Sequence, residues 1–422
     1  MHALAKILAR HSGRTEVVPG EIVQATPDAV MMHDRGVARA TERFFEMGGE
    51  RVWDPSKVVV VFDHFYPPPR PQDAEGQRIA RDFVQRQGIT SFFPGQGIAH
   101  VILPEKGFAF PGALVVGTDS HTITNSALGC MAMGLGHSDV GSLLALGSIW
   151  LRVPEVVRFE IHGRLPEGVY AKDIVLEILR TYGEDAAVYQ GVEYAGPAVR
   201  AMDMDGRLTL CNLAVEIGAK SGYVEPDEIT WRWMEGRRER NRCDPQTTDS
   251  AADYAAVIDL DVSDLRPLVA LPHDLSHIER VSDVAGVRID EAVLGTCTGG
   301  RIEDFRAAAD VLRGKKIARH VRMVVNPGSL DVYRQANREG LIDVLVDAGA
   351  VIGTPGCGPC GGCQLGMLAS GEVAISSSSR NFRGRMGSPE SLLYVASPAT
   401  VAASAVAGSI VEAERVGGEG RR

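Results

Sequence analysis

Ala113-Leu114-Val115-Val116-Gly117-Thr118-Asp119-Ser120-His121-Thr122 passes from an apolar, β-branched run into a carboxylate, a hydroxyl and an imidazole. A short apolar run bounded by polar and turn residues reads as a buried strand. The small residues that follow read as a helix starting near Asn125. The same junction recurs along the chain. Lys57–Phe62 leads into Asp63-His64 and then Tyr66-Pro67-Pro68-Pro69, whose prolines end the strand. Glu291–Gly295 leads into Thr296-Cys297-Thr298-Gly299-Gly300, and a helix begins near Ile302 with Glu303 and Asp304 in its first turn, where acidic side chains suit the helix dipole. Ala350–Ile352 leads into Gly353-Thr354-Pro355-Gly356-Cys357-Gly358-Pro359-Cys360-Gly361-Gly362-Cys363. Strands alternating with helices predict an α/β fold. Ligands of open α/β sheets bind beyond the carboxyl ends of strands, so the four polar clusters are expected to converge on one site.

The rest of the chain narrows the class. Its 422 residues give a prior of about three domains. Hydrophobic residues at 45% and charged residues at 23% exclude a disordered or fibrous chain. A net charge of −10 argues against nucleic acid as a partner. No stretch approaches the ~18 apolar residues of a membrane helix, and Met1–Arg14 reads as a short amphipathic helix rather than a signal peptide. A cytoplasmic setting follows, where clustered cysteines favour metal or redox roles over disulfides. Gly236–Asp253 reads as a polar surface connection between domains, and Val416–Arg422 as a flexible tail.

Four of the seven cysteines, Cys297, Cys357, Cys360 and Cys363, lie in Gly-rich loops, the last three as C-x-x-C-x-x-C. Thiolates at this spacing suit zinc or an iron–sulfur cluster, and spacing alone does not separate the two. Cys130 and Cys211 read as small buried hydrophobes. Asp63-His64, His100, Asp119-Ser120-His121 and Glu216 supply imidazoles and carboxylates, the pairing that fixes a tautomer for general acid–base work. His33, His137 and His273 read as structural. Arg380, Arg383 and Arg385, close together after Ser376–Ser379, suggest an anionic small-molecule substrate, because a guanidinium binds carboxylate bidentately.

At this point the motifs resemble a known family. Phe62-Asp63-His64, Gly117–Thr122, Asn212 with Glu216-Ile217-Gly218-Ala219, Gly295-Thr296-Cys297-Thr298, Pro355–Cys360, Arg380-Asn381-Phe382 and Gly384-Arg385 occur in this order. Together they resemble the 3-isopropylmalate dehydratase large subunits of the aconitase and homoaconitase superfamily, over nearly the whole chain. The resemblance implies three α/β/α domains around a central cleft, at 1–160, 161–285 and 286–415, without a fourth, swivelling domain. It implies a [4Fe-4S] cluster on Cys297, Cys357 and Cys360, with Cys363 a nearby thiol. Asp63–His64 would protonate a departing hydroxyl. Asp119–His100 and Glu216–His121 would be further carboxylate–imidazole pairs. Ser120, Arg380 and Arg385 would hold substrate carboxylates, and Asn212 would line the cluster pocket. A separate small subunit would supply the catalytic serine and further arginines. The implied reaction moves water across a carbon–carbon double bond of a hydroxy di- or tricarboxylate, as in leucine biosynthesis.

Two positions depart from the family pattern. Gly299 and Ser379 stand where asparagines are usual, which loosens the substrate assignment towards homoaconitate, citrate or a methylmalate more than it loosens the chemistry. Asp34-Arg35, within Met31–Arg39, reads as a loop of unusual basicity. Two rivals remain: a non-catalytic iron–sulfur or iron-sensing protein, and a structural zinc protein using Cys357, Cys360 and Cys363.

Overall fold

A computed structural model describes residues 1–362 and 364–413. Cys363 and the expected tail at 416–422 lie outside the described residues. The chain packs as two compact units, residues 1–163 with 184–261, and residues 164–183 with 262 onward.

The first unit carries a five-stranded parallel sheet, in the order Ser91–Pro94, Val58–Phe62, Ala29–His33, Leu114–Gly117, Met131–Gly134. Val58–Phe62 and Ala29–His33 are buried at every position. This explains their unbroken apolar runs, since a parallel sheet is covered on both faces and cannot alternate. Met32, Val60 and Phe62 share a core with Leu4, Ile7 and Leu8 of the helix Ala3–His11 and with Val37, Ala40 and Phe44 of the helix Asp34–Glu46. The same unit holds a four-stranded parallel sheet, Ser221–Tyr223, Gly191–Ala195, Val156–His162, Ala256–Asp261, and an antiparallel ribbon of Ile22–Ala25 with Ile149–Arg152.

The second unit is built on one seven-stranded sheet. Its order is Ile278–Arg280, Leu268–Ala270, Leu392–Ala396, Val373–Ser376, Glu291–Leu294, Arg322–Val325, Val351–Ile352. The last five run parallel and the first two add antiparallel edges. Phe305 and Leu312 of the helix Ile302–Leu312 are fully buried against Leu294, Met323 and Ile375. Each such side chain stabilises the unit by about 1.5–3 kcal/mol relative to exposure.

Three local expectations change. Instead of a helix from Asn125, a 3-10 helix covers Ser120–Leu128. Thr122, Thr124, Asn125 and Ser126 each donate a side-chain hydrogen bond, at 2.6–2.8 Å, to the carbonyl three residues back. These bonds draw the backbone into the tighter winding. Met31–Arg39 is no loop: strand Ala29–His33 runs directly into helix Asp34–Glu46, with Asp34 in the first turn. Its carboxylate suits the positive end of the helix dipole there. Gly236–Asp253 stays within the first unit. It is tied to the N-terminus by Asp249, which meets the Met1 amino group at 2.6 Å and Lys6 Nζ at 2.5 Å. No helix among the described residues is long and apolar enough to cross a membrane.

Candidate active site

The carboxyl ends of the parallel strands in the first unit carry its titratable groups. His33 ends one strand, Asp63 follows the next, and Asp119 follows Gly117. Asp63 Oδ1 takes a hydrogen bond from His64 Nδ1 at 2.8 Å, and its Oδ2 accepts from the Ala99 amide at 2.8 Å. His100 sits on the helix Ala99–Glu105, its Nε2 3.0 Å from Asp119 Oδ1. The same carboxylate caps Ser120–Leu128 by accepting from the His121 amide at 2.7 Å. His121 Nε2 meets Glu216 Oε1 at 3.0 Å. All three carboxylate–imidazole pairs named from the sequence are thus hydrogen-bonded.

Burial alone would raise the Asp63 carboxyl, but the charge and hydrogen bond of His64, with the Ala99 amide bond, hold it below the ordinary range. Asp119 is treated likewise: burial works upward, and His100 and His121 bring it well below. Burial lowers His64, yet Asp63, Asp34 and Asp119 override it and push the ring to about 9. An imidazole of this kind stays protonated at neutral pH, the loaded state of a general acid.

Sequence reading passed over two members of this set. His33, read as structural, has its ring 4.6 Å from that of His64 and its Nε2 3.8 Å from Asp119. Burial and the facing His64 charge lower it to about 4, so it is neutral. Asp34 lies 3.7 Å from His64 Nδ1. Both occupy a strand end, the signal that picked out Asp63 and Asp119 and would have found them. Nδ1 of His33 and Nδ1 of His100 are buried without a hydrogen-bond partner among the described residues. Ser120 lines a cavity of about 320 Å³ with Gly134, Leu135, Val215, Ala219 and Lys220. Asn212 is fully buried, donating to Thr124 Oγ1 at 2.7 Å.

The second unit holds Cys297, Cys357 and Cys360. All three are buried, with 6–8% exposure, and no disulfide joins them to one another among the described residues. Thr296, just before Cys297, has φ +66°, a left-handed conformation that is costly for a β-branched residue. Gly358, between the other two cysteines, has φ +55°, and a Cβ there would stand 2.3 Å from Asn326 Oδ1. Arg385 Nη2 reaches Cys360 Sγ at 3.3 Å, whereas Arg380 turns over the Phe382 ring at 5.9 Å. The loop bearing these arginines is fastened by buried Lys172, whose Nζ donates to the carbonyls of Ser377 and Ser378 at 2.9 and 2.8 Å. Burial lowers that ammonium to about 8. Three soft sulfur donors in tight, Gly-containing loops, one already meeting a guanidinium, fit an iron–sulfur cluster by donor chemistry. Gly299 packs on Ser377: a Cβ at 299 would lie 2.2 Å from Oγ and 2.5 Å from Cβ of that serine. Ser379 is fully buried, with its hydroxyl lacking a partner among the described residues.

Comparisons with known proteins place the chain in a family. The model of the aconitase family (aconitate hydratase) matches residues 5–408. A probable 3-isopropylmalate dehydratase large subunit of Methanothermobacter thermautotrophicus is 48% identical over 406 residues, 96% of this chain and 97% of that protein. The 3-isopropylmalate dehydratase large subunit of Heliobacterium modesticaldum is 45% identical over 413 residues, 97% of this chain and 98% of its own. A probable methanogen homoaconitase large subunit, also from M. thermautotrophicus, is 44% identical over 427 residues, 100% of this chain and 99% of that protein. A name ending in "large subunit" implies a separate small subunit for each of these relatives. With a family model matched over nearly its full length and relatives at this identity, the chain belongs to the aconitase family of hydro-lyases.

Proposed function

We propose that the chain is the large subunit of a [4Fe-4S] hydro-lyase that interconverts 2-isopropylmalate and 3-isopropylmalate through the alkene. The observation that carries this reading is the set of three hydrogen-bonded carboxylate–imidazole pairs in a chain of this family. Cys297, Cys357 and Cys360 would hold the cluster, which when bound supplies a Lewis acid for the substrate hydroxyl. His64, held at Nδ1 by Asp63, presents Nε2 to the departing hydroxyl. As the C–O bond breaks, the oxygen leaves with the electron pair and takes the Nε2 proton to become water. The proton on the adjacent carbon goes to a serine base of a small-subunit partner. Asp119 fixes His100, and Glu216 fixes His121, so neither ring turns as charge develops. Ser120, Arg380 and Arg385 bind substrate carboxylates, and Asn212 supports the pocket.

Homoaconitate is the second reading. It is favoured by the 44% match to the homoaconitase-named relative across this whole chain. The test is reconstitution of the cluster without oxygen, addition of a separately produced small subunit, and comparison of 2-isopropylmalate with homocitrate. Turnover of 2-isopropylmalate only with the small subunit is expected. Full activity of the isolated chain, or none on either substrate with a cluster present, would overturn the proposal.

A further inference from the structure

His33, Asp34, Asp63 and His64 place ligand-capable atoms within 4.8 Å of one another, a spacing that could hold an ion. Their bonds point elsewhere. Asp34 Oδ1 accepts the amides of Arg35 at 3.0 Å and His64 at 3.2 Å, and its Oδ2 accepts the Phe65 amide at 2.8 Å. Both Asp63 oxygens are engaged, by His64 Nδ1 and by the Ala99 amide. What faces both carboxylates is Nδ1 of His64, 2.8 Å from Asp63 and 3.7 Å from Asp34. The centre of this group therefore suits a proton better than a metal.

We propose that Asp34 is a positioning residue for His64: from the first turn of its own helix it clamps the backbone after Asp63 and sets a second carboxylate behind the imidazole, keeping that ring protonated. The inference rests on the reading of His64 as the acid. The geometry gives Asp34 two effects. Its bonds to the His64 and Phe65 amides fix where the ring stands. Its charge adds to that of Asp63, in a buried place where solvent screens little.

The groups facing the ring are few. Asp63 is on its own loop, Asp34 comes from the helix Asp34–Glu46, and Asp119 comes from the loop after Leu114–Gly117. His33 lies tilted against the ring from its strand end and is neutral, and His100 is bonded to Asp119. The carboxylates of Asp63, Asp34 and Asp119 are what raise His64. Burial and the adjacent Asp63 raise Asp34 to about 6, while His64 draws it down. Asp34 thus exerts its full charge only above that pH.

The test is a pH titration of the ¹⁵N-histidine-labelled full chain by NMR, with the His64 ring assigned through His64→Gln. The wild-type ring should titrate near pH 9, with a smaller inflection near pH 6 as Asp34 ionises. Asp34→Asn keeps one oxygen, which can still accept the Arg35 and His64 amides, and removes the charge. It should lower the main midpoint by about one unit or more and abolish the lower inflection. In the reconstituted two-subunit enzyme, the alkaline limb of kcat/KM should move by the same interval, with KM little changed. A folded Asp34→Asn chain with an unmoved midpoint overturns the proposal. If that variant does not fold, a wild-type ring without the lower inflection overturns it. A shifted ring with an unshifted rate profile leaves Asp34 its effect on His64 and removes His64 from the role of acid.

Discussion

The two units prepare their residues for chemistry in different ways. In the first, position is set by charge: Asp63 with His64, Asp119 with His100 and Glu216 with His121 hold one another at 2.8–3.0 Å. In the second, position is set by backbone shape: Thr296 in a left-handed conformation, Gly358 against Asn326 and Gly299 against Ser377. A change of charge with little change of volume should therefore harm the first region more. A change of volume without change of charge should harm the second more.

The largest effect expected is on the thiols. Cys297→Ser, Cys357→Ser and Cys360→Ser should each strip iron and sulfide from the reconstituted chain and abolish turnover. Metal analysis and visible absorption read this directly. Cys363→Ser should retain most of the iron; equal loss there would break the ligand assignment. Next comes His64→Gln, which should lower kcat by about 10²- to 10⁴-fold, the usual worth of a general acid, with iron content unchanged. Loss of iron in this variant would break the comparison itself, because it would tie the charge-set region to cluster retention.

The pH profile sharpens the same comparison. His64 has a raised midpoint, so its acid form is fully present well below pH 9 and is lost as pH rises through it. Activity for dehydration should hold through neutral pH and fall about tenfold per unit beyond that limb. The alkaline limb should be absent from iron retention measured over the same range. A limb nearer pH 6.5, the ordinary imidazole value, would mean that the surrounding carboxylates do not act on the ring.

Much of the charge-set region was readable in the sequence, and the reason is local. Val-rich strands lead straight into Asp63-His64 and into Asp119-Ser120-His121, so residue type and strand end coincide within a few positions. His33-Asp34 obeys the same rule but was passed over: a lone histidine suggests a structural residue, and Arg35 suggested a loop. The 3-10 winding of Ser120–Leu128 was hidden because four side chains act together to tighten it. The exposed edge strand Ala256–Asp261 lacks the apolar run that betrays a central one. The shape-set region was less legible still. The cysteine spacing suits a metal, yet the partners that shape those loops, Asn326, Ser377 and Lys172, come from distant segments.

Gly299 gives the smallest effect and the finest test of shape against charge. Asparagine is the usual residue at 299 in the family the motifs resemble, and its absence points to a changed substrate contact. The structure supplies a steric reason instead, since any Cβ would meet both side-chain atoms of Ser377. Ser377 cannot simply turn away, because its Oγ accepts from the Gly295 amide at 3.0 Å and its carbonyl receives Thr298 Oγ1 at 2.8 Å and Lys172 Nζ at 2.9 Å. Gly299→Asn should therefore destabilise the chain by about 1–3 kcal/mol, the usual cost of overpacking a close contact. Ser377→Gly removes the two nearest of the three clashing atoms, leaving the Gly295 carbonyl oxygen at 2.9 Å, and keeps the Ser377 carbonyl. Combined with Gly299→Asn, it should recover part of the loss, so that the double variant unfolds at higher denaturant than the two single effects predict when added. Strict additivity in that cycle would show that Gly299 and Ser377 do not shape one another, and that the glycine marks a change in substrate contact rather than in packing.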